Sequence, residues 1–177
     1  MGSKRDDATT ALLLAAAAGH YGVVRALRDA GSDVVWKNLN GLSALNAAVE
    51  RKGDGQDHFK IVEFLLANGA NLETTDSDGL TPLMKASLEG YADMVEVFLA
   101  KKAKVEAKSK ADFTALMGAC KKGNEQVFDL LLKRRASVHA VTKSGQTPLI
   151  FACISSSLGI VTKILAVPGD LPRTVTT

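Results

Sequence analysis

Three histidines, two cysteines and a glycine-bracketed aspartate are the residues of this chain best suited to carry chemistry, so their spacing decides whether a reactive site is expected. Nucleophilic catalysis needs a nucleophile within hydrogen-bond reach of a base, and metal binding needs several His, Cys, Asp or Glu side chains that converge. His20, His58 and His139 fall in three different repeats of the sequence, at three different slots, and are not expected to converge. Gly53-Asp54-Gly55 lacks both the Lys-Ser ending of a phosphate loop and a preceding strand. Asp54 and Asp57 lack the ligand spacing and the terminal glutamate of a calcium loop. Cys120 and Cys153 stand 33 residues apart in equivalent slots. Neighbouring helices pack roughly 8–10 Å apart, beyond the reach of a disulfide, so both are expected as reduced core thiols. No nucleophile with its base and no pair of acids stands out, so neither an enzyme nor a cofactor is expected.

The elements that position these residues are set by one recurring stretch, Gly79-Leu80-Thr81-Pro82-Leu83. Its threonine slot holds Thr10, Ser43, Thr81, Thr114 and Thr147, at intervals of 33, 38, 33 and 33 residues. A hydroxyl at this slot can accept an orphan amide of a helix's first turn, and a proline after it has no amide to satisfy and a φ already helical. In the first repeat Leu12, Ala15 and Ala16 form one helical face, Gly19-His20 breaks the chain, and Val23, Val24 and Leu27 mark a second helix ending at Gly31. The longer second interval places five extra residues between Ala48 and Ile61. The run around Arg51 to His58 is rich in Gly, Asp and Lys and reads as a solvated loop.

This pattern, Gly-x-Thr-Pro-Leu followed by Ala, then Gly-His, Val-Val, Leu-Leu and Gly-Ala, resembles the ankyrin-repeat family over nearly the whole chain. The resemblance implies an all-α solenoid of paired antiparallel helices with short hairpin loops. Five repeats are expected, at about 6–38, 39–76, 77–109, 110–142 and 143–167, between an N-terminal tail at 1–5 and a C-terminal tail at 168–177. The third repeat is closest to the family pattern, and the later ones drift. The family's histidine after Thr-Pro-Leu is missing, its slot holding Leu13, Asn46, Met84, Met117 and Ile150, so its bonds to the turn must be replaced or absent. The glycine that ends the outer helix at Gly31 and Gly69 gives way to Lys102, Arg135 and Pro168. That slot usually needs a positive φ, which strains a non-glycine residue by about 1 kcal/mol. Local stability is therefore expected to fall towards the C-terminus. The terminal repeats keep apolar residues such as Leu13, Leu14, Ile150 and Ile154 where a capping repeat would be polar, which suits a segment of a longer array.

An apolar content of 46% supports a folded chain, and an aromatic content of only 5% suits closely stacked small side chains better than one large aromatic core. No apolar run approaches the ~18 residues of a membrane span, and Asp6 and Asp7 spoil a secretory leader after Lys4 and Arg5. An intracellular, monomeric protein is the expectation. Charge is uneven. Between Lys101 and Lys143 there are eleven Lys and Arg against Glu106, Asp112, Glu125 and Asp129, a net of +7, which leaves −4 for the rest of a chain whose total is +3. Such a gradient can steer an acidic partner.

The variable slot between the glycine and the threonine holds Leu42, Leu80, Phe113 and Gln146. By resemblance to the family it points into a concave groove where partners bind. Trp36 and Leu39, in the hairpin segment entering the second repeat, add exposed apolar groups of the kind that anchor interfaces. The expected role is a non-catalytic protein-interaction module that binds a protein or peptide through its concave face and hairpin tips. Trp36, Leu39, Leu42, Leu80 and Phe113 would be its anchors, with Lys108, Lys110, Lys121, Lys122 and Lys143 steering an acidic partner. The alternative is a phosphate-rich ligand, nucleic acid or anionic lipid headgroups, on the basic half. Nucleic acid is disfavoured because Phe113 is the single aromatic placed to stack among those cations.

Overall fold

Four helices, one in each repeat after the first, start where a hydroxyl meets a backbone amide three residues on. In the computed structural model, Thr81 is extended at φ −78°, ψ 162°, and its Oγ1 accepts the Met84 amide at 3.3 Å. Ser43, Thr114 and Thr147 do the same for Asn46, Met117 and Ile150. The structure describes residues 4–39, 41–50 and 57–167. The core of the inserted stretch, 51–56, and the tail from Pro168 onward lie outside the described residues.

Among the described residues ten helices follow in order: α1 (Lys4–Ala17), α2 (Tyr21–Asp29), α3 (Ala44–Val49), α4 (Asp57–Ala67), α5 (Pro82–Glu89), α6 (Ala92–Ala100), α7 (Ala115–Lys122), α8 (Glu125–Lys133), α9 (Pro148–Ile154) and α10 (Leu158–Leu165). The odd-numbered helices stack as an inner row and the even-numbered ones as an outer row, each helix packing on its partner and on the adjacent members of its row. Among the described residues there is no strand, only an isolated antiparallel bridge between Lys37 and Ser43. The fold is an all-α repeat solenoid.

Thr10 departs from expectation. It lies inside α1 and caps nothing, because the turns of this helix continue upstream to Lys4. The helix therefore takes in Lys4 and Arg5, which the sequence reading assigned to a polar lead. The register itself is unchanged: Leu12, Leu45, Leu83 and Leu116, two residues after the threonine slot, are all fully buried.

The first four outer helices end alike, and the equivalent slot after α10, Pro168, lies outside the described residues. At Gly31, Gly69, Lys102 and Arg135 φ is +91°, +89°, +65° and +62°. In each case the next residue's amide reaches back five positions, as from Ala103 to Phe98 and from Ala136 to Leu131 at 3.0 and 3.1 Å. These are paired left-handed terminations, with a lysine and an arginine where glycine would be unstrained.

The core is a column of leucine, alanine and branched side chains between the rows, with Phe98 and Phe128 the largest fully buried members. Cys120 belongs to it. Cys153 does not: it is exposed, contrary to the expectation of two core thiols. Its slot is fully buried in every earlier repeat, at Ala16, Val49, Ser87 and Cys120, each on a helix that has a following inner helix beside it, and after α9 no such helix follows among the described residues. Ile154 and Leu158, 66% and 74% exposed, lie uncovered at the same end.

Candidate partner-binding groove

The hairpins that carry the variable slot are built from side-chain acceptors. Four residues before each variable residue stands Asn38, Asp76, Ser109 or Thr142, and its side-chain oxygen accepts the variable residue's amide: Leu42 at 2.9 Å, Leu80 at 2.9 Å, Phe113 at 3.1 Å and Gln146 at 3.0 Å. The backbone returns the bond, the amide of each acceptor residue donating to the variable residue's carbonyl at 2.9 to 3.3 Å. The reversal needs a left-handed residue, supplied by Gly41, Gly79 and Gly145 and, in the fourth repeat, by Asp112 at φ +59°. At Gly79 a Cβ would also lie 2.8 Å from the Lys110 amide. That amide donates to the Asp78 carbonyl at 3.0 Å, and the Lys143 amide donates to that of Ala111 at 3.0 Å, so successive hairpins are tied edge to edge.

Between the hairpins of the third and fourth repeats and the ends of α5 and α7 opens a groove of about 310 Å³. Leu80, Phe113 and Leu88 form its apolar lining, and Lys110, Lys121 and Asp78 stand around it. Four of the residues singled out in the sequence thus share one concavity: Leu80, Phe113, Lys110 and Lys121. Leu42, Trp36, Leu39, Lys108, Lys122 and Lys143 do not line it. Trp36 and Leu42 are half-buried, Leu39 is fully exposed at its hairpin, and Lys108, Lys122 and Lys143 are exposed. The stripe is also less free-standing than a row of projecting side chains. Leu80 and Phe113 both pack against the core, and Phe113 meets Phe151 edge to face with centroids 5.5 Å apart. Leu88 and Asp78 went unnoticed in the sequence, although each hairpin's acceptor, four residues ahead of the variable slot, was visible there.

A buried ion cluster was also missed. The Lys85 ammonium lies 2.9 Å from an Asp76 carboxylate oxygen and also pairs with Glu50 of the preceding repeat. The side chains of Lys85 and Asp76 are only 10% and 12% exposed. Burial pushes the Lys85 pKa down, but hydrogen bonds and charge from Glu50 and Asp76 outweigh it and leave it raised. Burial pushes Asp76 up, yet the Lys85 ammonium and the amides of Leu80 and Asp78 hold it below the ordinary carboxylate value. The same carboxylate that shapes the hairpin therefore anchors a lysine beneath it.

The histidines need correction. The 38-residue interval puts His58 in the slot of His20, one repeat on, rather than in a slot of its own. It is not in solvated loop either: His58 lies in the first turn of α4, is 1% exposed, and its Nε2 donates to the Ala17 carbonyl at 3.2 Å. In the fourth repeat the same slot holds Asn124, whose Nδ2 donates to the Gly90 carbonyl at 3.1 Å. These are contacts from one repeat to the turn of the one before. The missing family histidine is replaced once, by Asn46: its Oδ1 accepts from Ser43 Oγ at 2.8 Å and its Nδ2 donates to the Leu80 carbonyl at 3.4 Å. At Met84 and Met117 the slot is apolar and fully buried.

Among the described residues no three His, Cys, Asp or Glu converge as metal ligands, and no helix is long and apolar enough to cross a membrane. A family model described as ankyrin repeats (3 copies) matches the chain over residues 1–76, 52–143 and 104–171. No curated protein matches it. The family match spans more than half of the chain, whose helix pairs and hydroxyl caps recur along it, and the chain belongs to the ankyrin-repeat family.

Proposed function

We propose that this chain is a non-catalytic interaction module whose protein partner seats an apolar side chain between Leu80 and Phe113. Ankyrin repeats generally mediate protein–protein interaction. The observation that carries the finer reading is the groove itself: two variable-slot residues held by paired hairpin bonds beside Leu88, with Lys110 and Lys121 alongside. An apolar floor edged by cations suits a peptide or surface loop that presents a hydrophobic residue flanked by acidic ones. Trp36, Leu42 and Leu39 extend the contact along the hairpin tips, and Lys108, Lys122 and Lys143 add to the attraction at longer range.

The test is affinity capture with the native chain and with a Leu80→Glu, Lys121→Glu variant, whose two changes fall at the groove surface. A partner held by the native chain and released by the variant, at an unchanged thermal midpoint, supports the groove. Partners retained equally by both would place binding elsewhere. Affinity that collapses log-linearly with salt would favour a phosphate-rich ligand over an apolar-anchored contact.

A further inference from the structure

The two left-handed terminations that lack glycine share an edge of the molecule, on the outer-helix side of the hairpins. Lys102 ends α6 and Arg135 ends α8, both exposed, both at positive φ and in the same slot of successive repeats. Lys101, Lys104 and Lys133 are exposed around them. None of these five side chains forms an ion pair among the described residues. The sixth cation, Arg134, is spent differently: its Nη1 donates to the Leu99 carbonyl at 2.7 Å, clamping the fourth repeat to the end of the third and fixing the spacing of its neighbours.

The helix ends do not explain this cluster. A cation near the carbonyl end of a helix is favourable, but Lys101 and Arg134, one residue earlier, already supply it. Glycine in the left-handed slot, as at Gly31 and Gly69, would remove the backbone strain at no loss to the helix. A strained residue is an observation from which function can be inferred when stability does not account for it. Glu73 and Glu106 are directed to the backbone amides of Lys104 and Ser137, both at 2.9 Å, and pair with none of these five cations, whose charges outnumber theirs five to two.

We propose that this edge is a second docking site, separate from the groove, for an acidic polypeptide segment in extended, polyproline-like conformation. Stacked helices repeat at roughly 8–10 Å. A polyproline helix has three residues per turn and rises about 3.1 Å per residue, so every third carboxylate returns to the same face after about 9 Å, in step with Lys102 and Arg135. Acidic segments low in apolar residues populate this conformation without having to fold first. Nucleic acid fits less well, because the one Phe, Tyr or Trp in residues 98–106 and 131–138 is Phe98, which is fully buried and cannot stack on a base.

The test uses a fluorescein-labelled 15-residue oligo-glutamate peptide, with a Gly-Ser peptide and a 15-nucleotide oligothymidine as comparison probes, read by anisotropy at low salt. The Lys102→Gly, Arg135→Gly double variant should bind oligo-glutamate about tenfold more weakly while its denaturation midpoint rises. Lys102→Asn, Arg135→Asn, which keeps a residue tolerant of positive φ, should lose a similar factor. Arg25→Ala, Lys37→Ala removes the same charge from the first repeat and should lose less than twofold. Equal losses in the edge and control variants, no binding of oligo-glutamate by the native chain, or tighter binding of oligothymidine would each overturn the proposal.

Discussion

The imidazole of His58 closes the end of α1: its Nε2 lies 3.2 Å from the carbonyl oxygen of Ala17, 41 residues earlier in the chain. Gly19 makes room for the ring, since a Cβ there would sit 2.5 Å from His58 Cε1 and φ is +75°. Removing the ring takes this donor from the half-buried Ala17 carbonyl and leaves a void. His58→Ala should therefore destabilise the protein by about 2–3 kcal/mol in urea denaturation. Gly19→Ala should also lower the midpoint, through strain and the clash. A midpoint unmoved by either change would show that the second repeat is not fastened to the first through this residue.

Lys85 and Asp76 make stability depend on pH at both extremes. Asp76 has its folded pKa below the ordinary value, so its contribution is fully present above the unfolded carboxylate pKa of about 4 and is lost as pH falls through the lower folded value. Lys85 has its folded pKa raised above the ordinary lysine value, so its contribution is present below about pH 10.4 and is lost as pH rises through the higher folded value. Lys85→Met should cost about 3 kcal/mol near neutral pH, because it leaves Asp76 buried without its cation. It should also flatten the acid limb of the stability curve. An acid limb identical to that of the native chain would remove the pair from the account.

The left-handed cations give a prediction of opposite sign. Lys102→Gly and Arg135→Gly should each stabilise the protein by about 1 kcal/mol, measured as a rise in the urea midpoint at unchanged slope. A fall for both would mean that their side chains contribute more to the fold than the strain at φ +65° and +62° takes away.

The thiols should separate cleanly. Burial pushes Cys120 up to about 12, so it should resist labelling until the chain unfolds. Cys153 is exposed and should react in the native protein. One fast and one slow thiol is the expected trace, and two slow thiols would mean that the end of α9 is covered in solution.

Phe113 and Leu80 should differ in what they cost. Phe113→Ala removes an edge-to-face contact with Phe151 and should lower stability by about 1–2 kcal/mol as well as weakening partner binding. Leu80→Ala and Trp36→Ala, at half-buried hairpin positions, should move the thermal midpoint less. If Phe113→Ala leaves the midpoint where it was, the ring belongs to the groove alone.

Periodicity made the fold legible. Thr81, Thr114 and Thr147 announce helix starts because a hydroxyl followed by a helical or proline residue has one low-energy use, and Lys102 and Arg135 reveal left-handed turns because their slot is glycine elsewhere. Thr10 misled for want of context: the same residue caps a helix only where the chain ahead of it is not already helical. Cys153 was misplaced because burial in a stack depends on the next repeat, which equivalence of slots cannot supply. His58 was misplaced because the insertion was counted as loop up to it, although adding its five residues ahead of the histidine restores its alignment with His20. The groove was half legible. Aligned slots placed Leu80 and Phe113 together, but Lys85 between Glu50 and Asp76 required knowing which inner-helix side chains turn towards the hairpins.

The ties that hold one repeat to the next, from Asn124 to Gly90, Arg134 to Leu99 and His58 to Ala17, span only 34 to 41 residues of chain. No strand pairing brings distant segments together among the described residues. Loop-closure entropy is therefore met in small steps, each compensated by contacts with a neighbour already in place. The relative contact order is low, and refolding should be fast for a chain of this length. It should start wherever a helix pair first finds its neighbour and spread along the array in either direction.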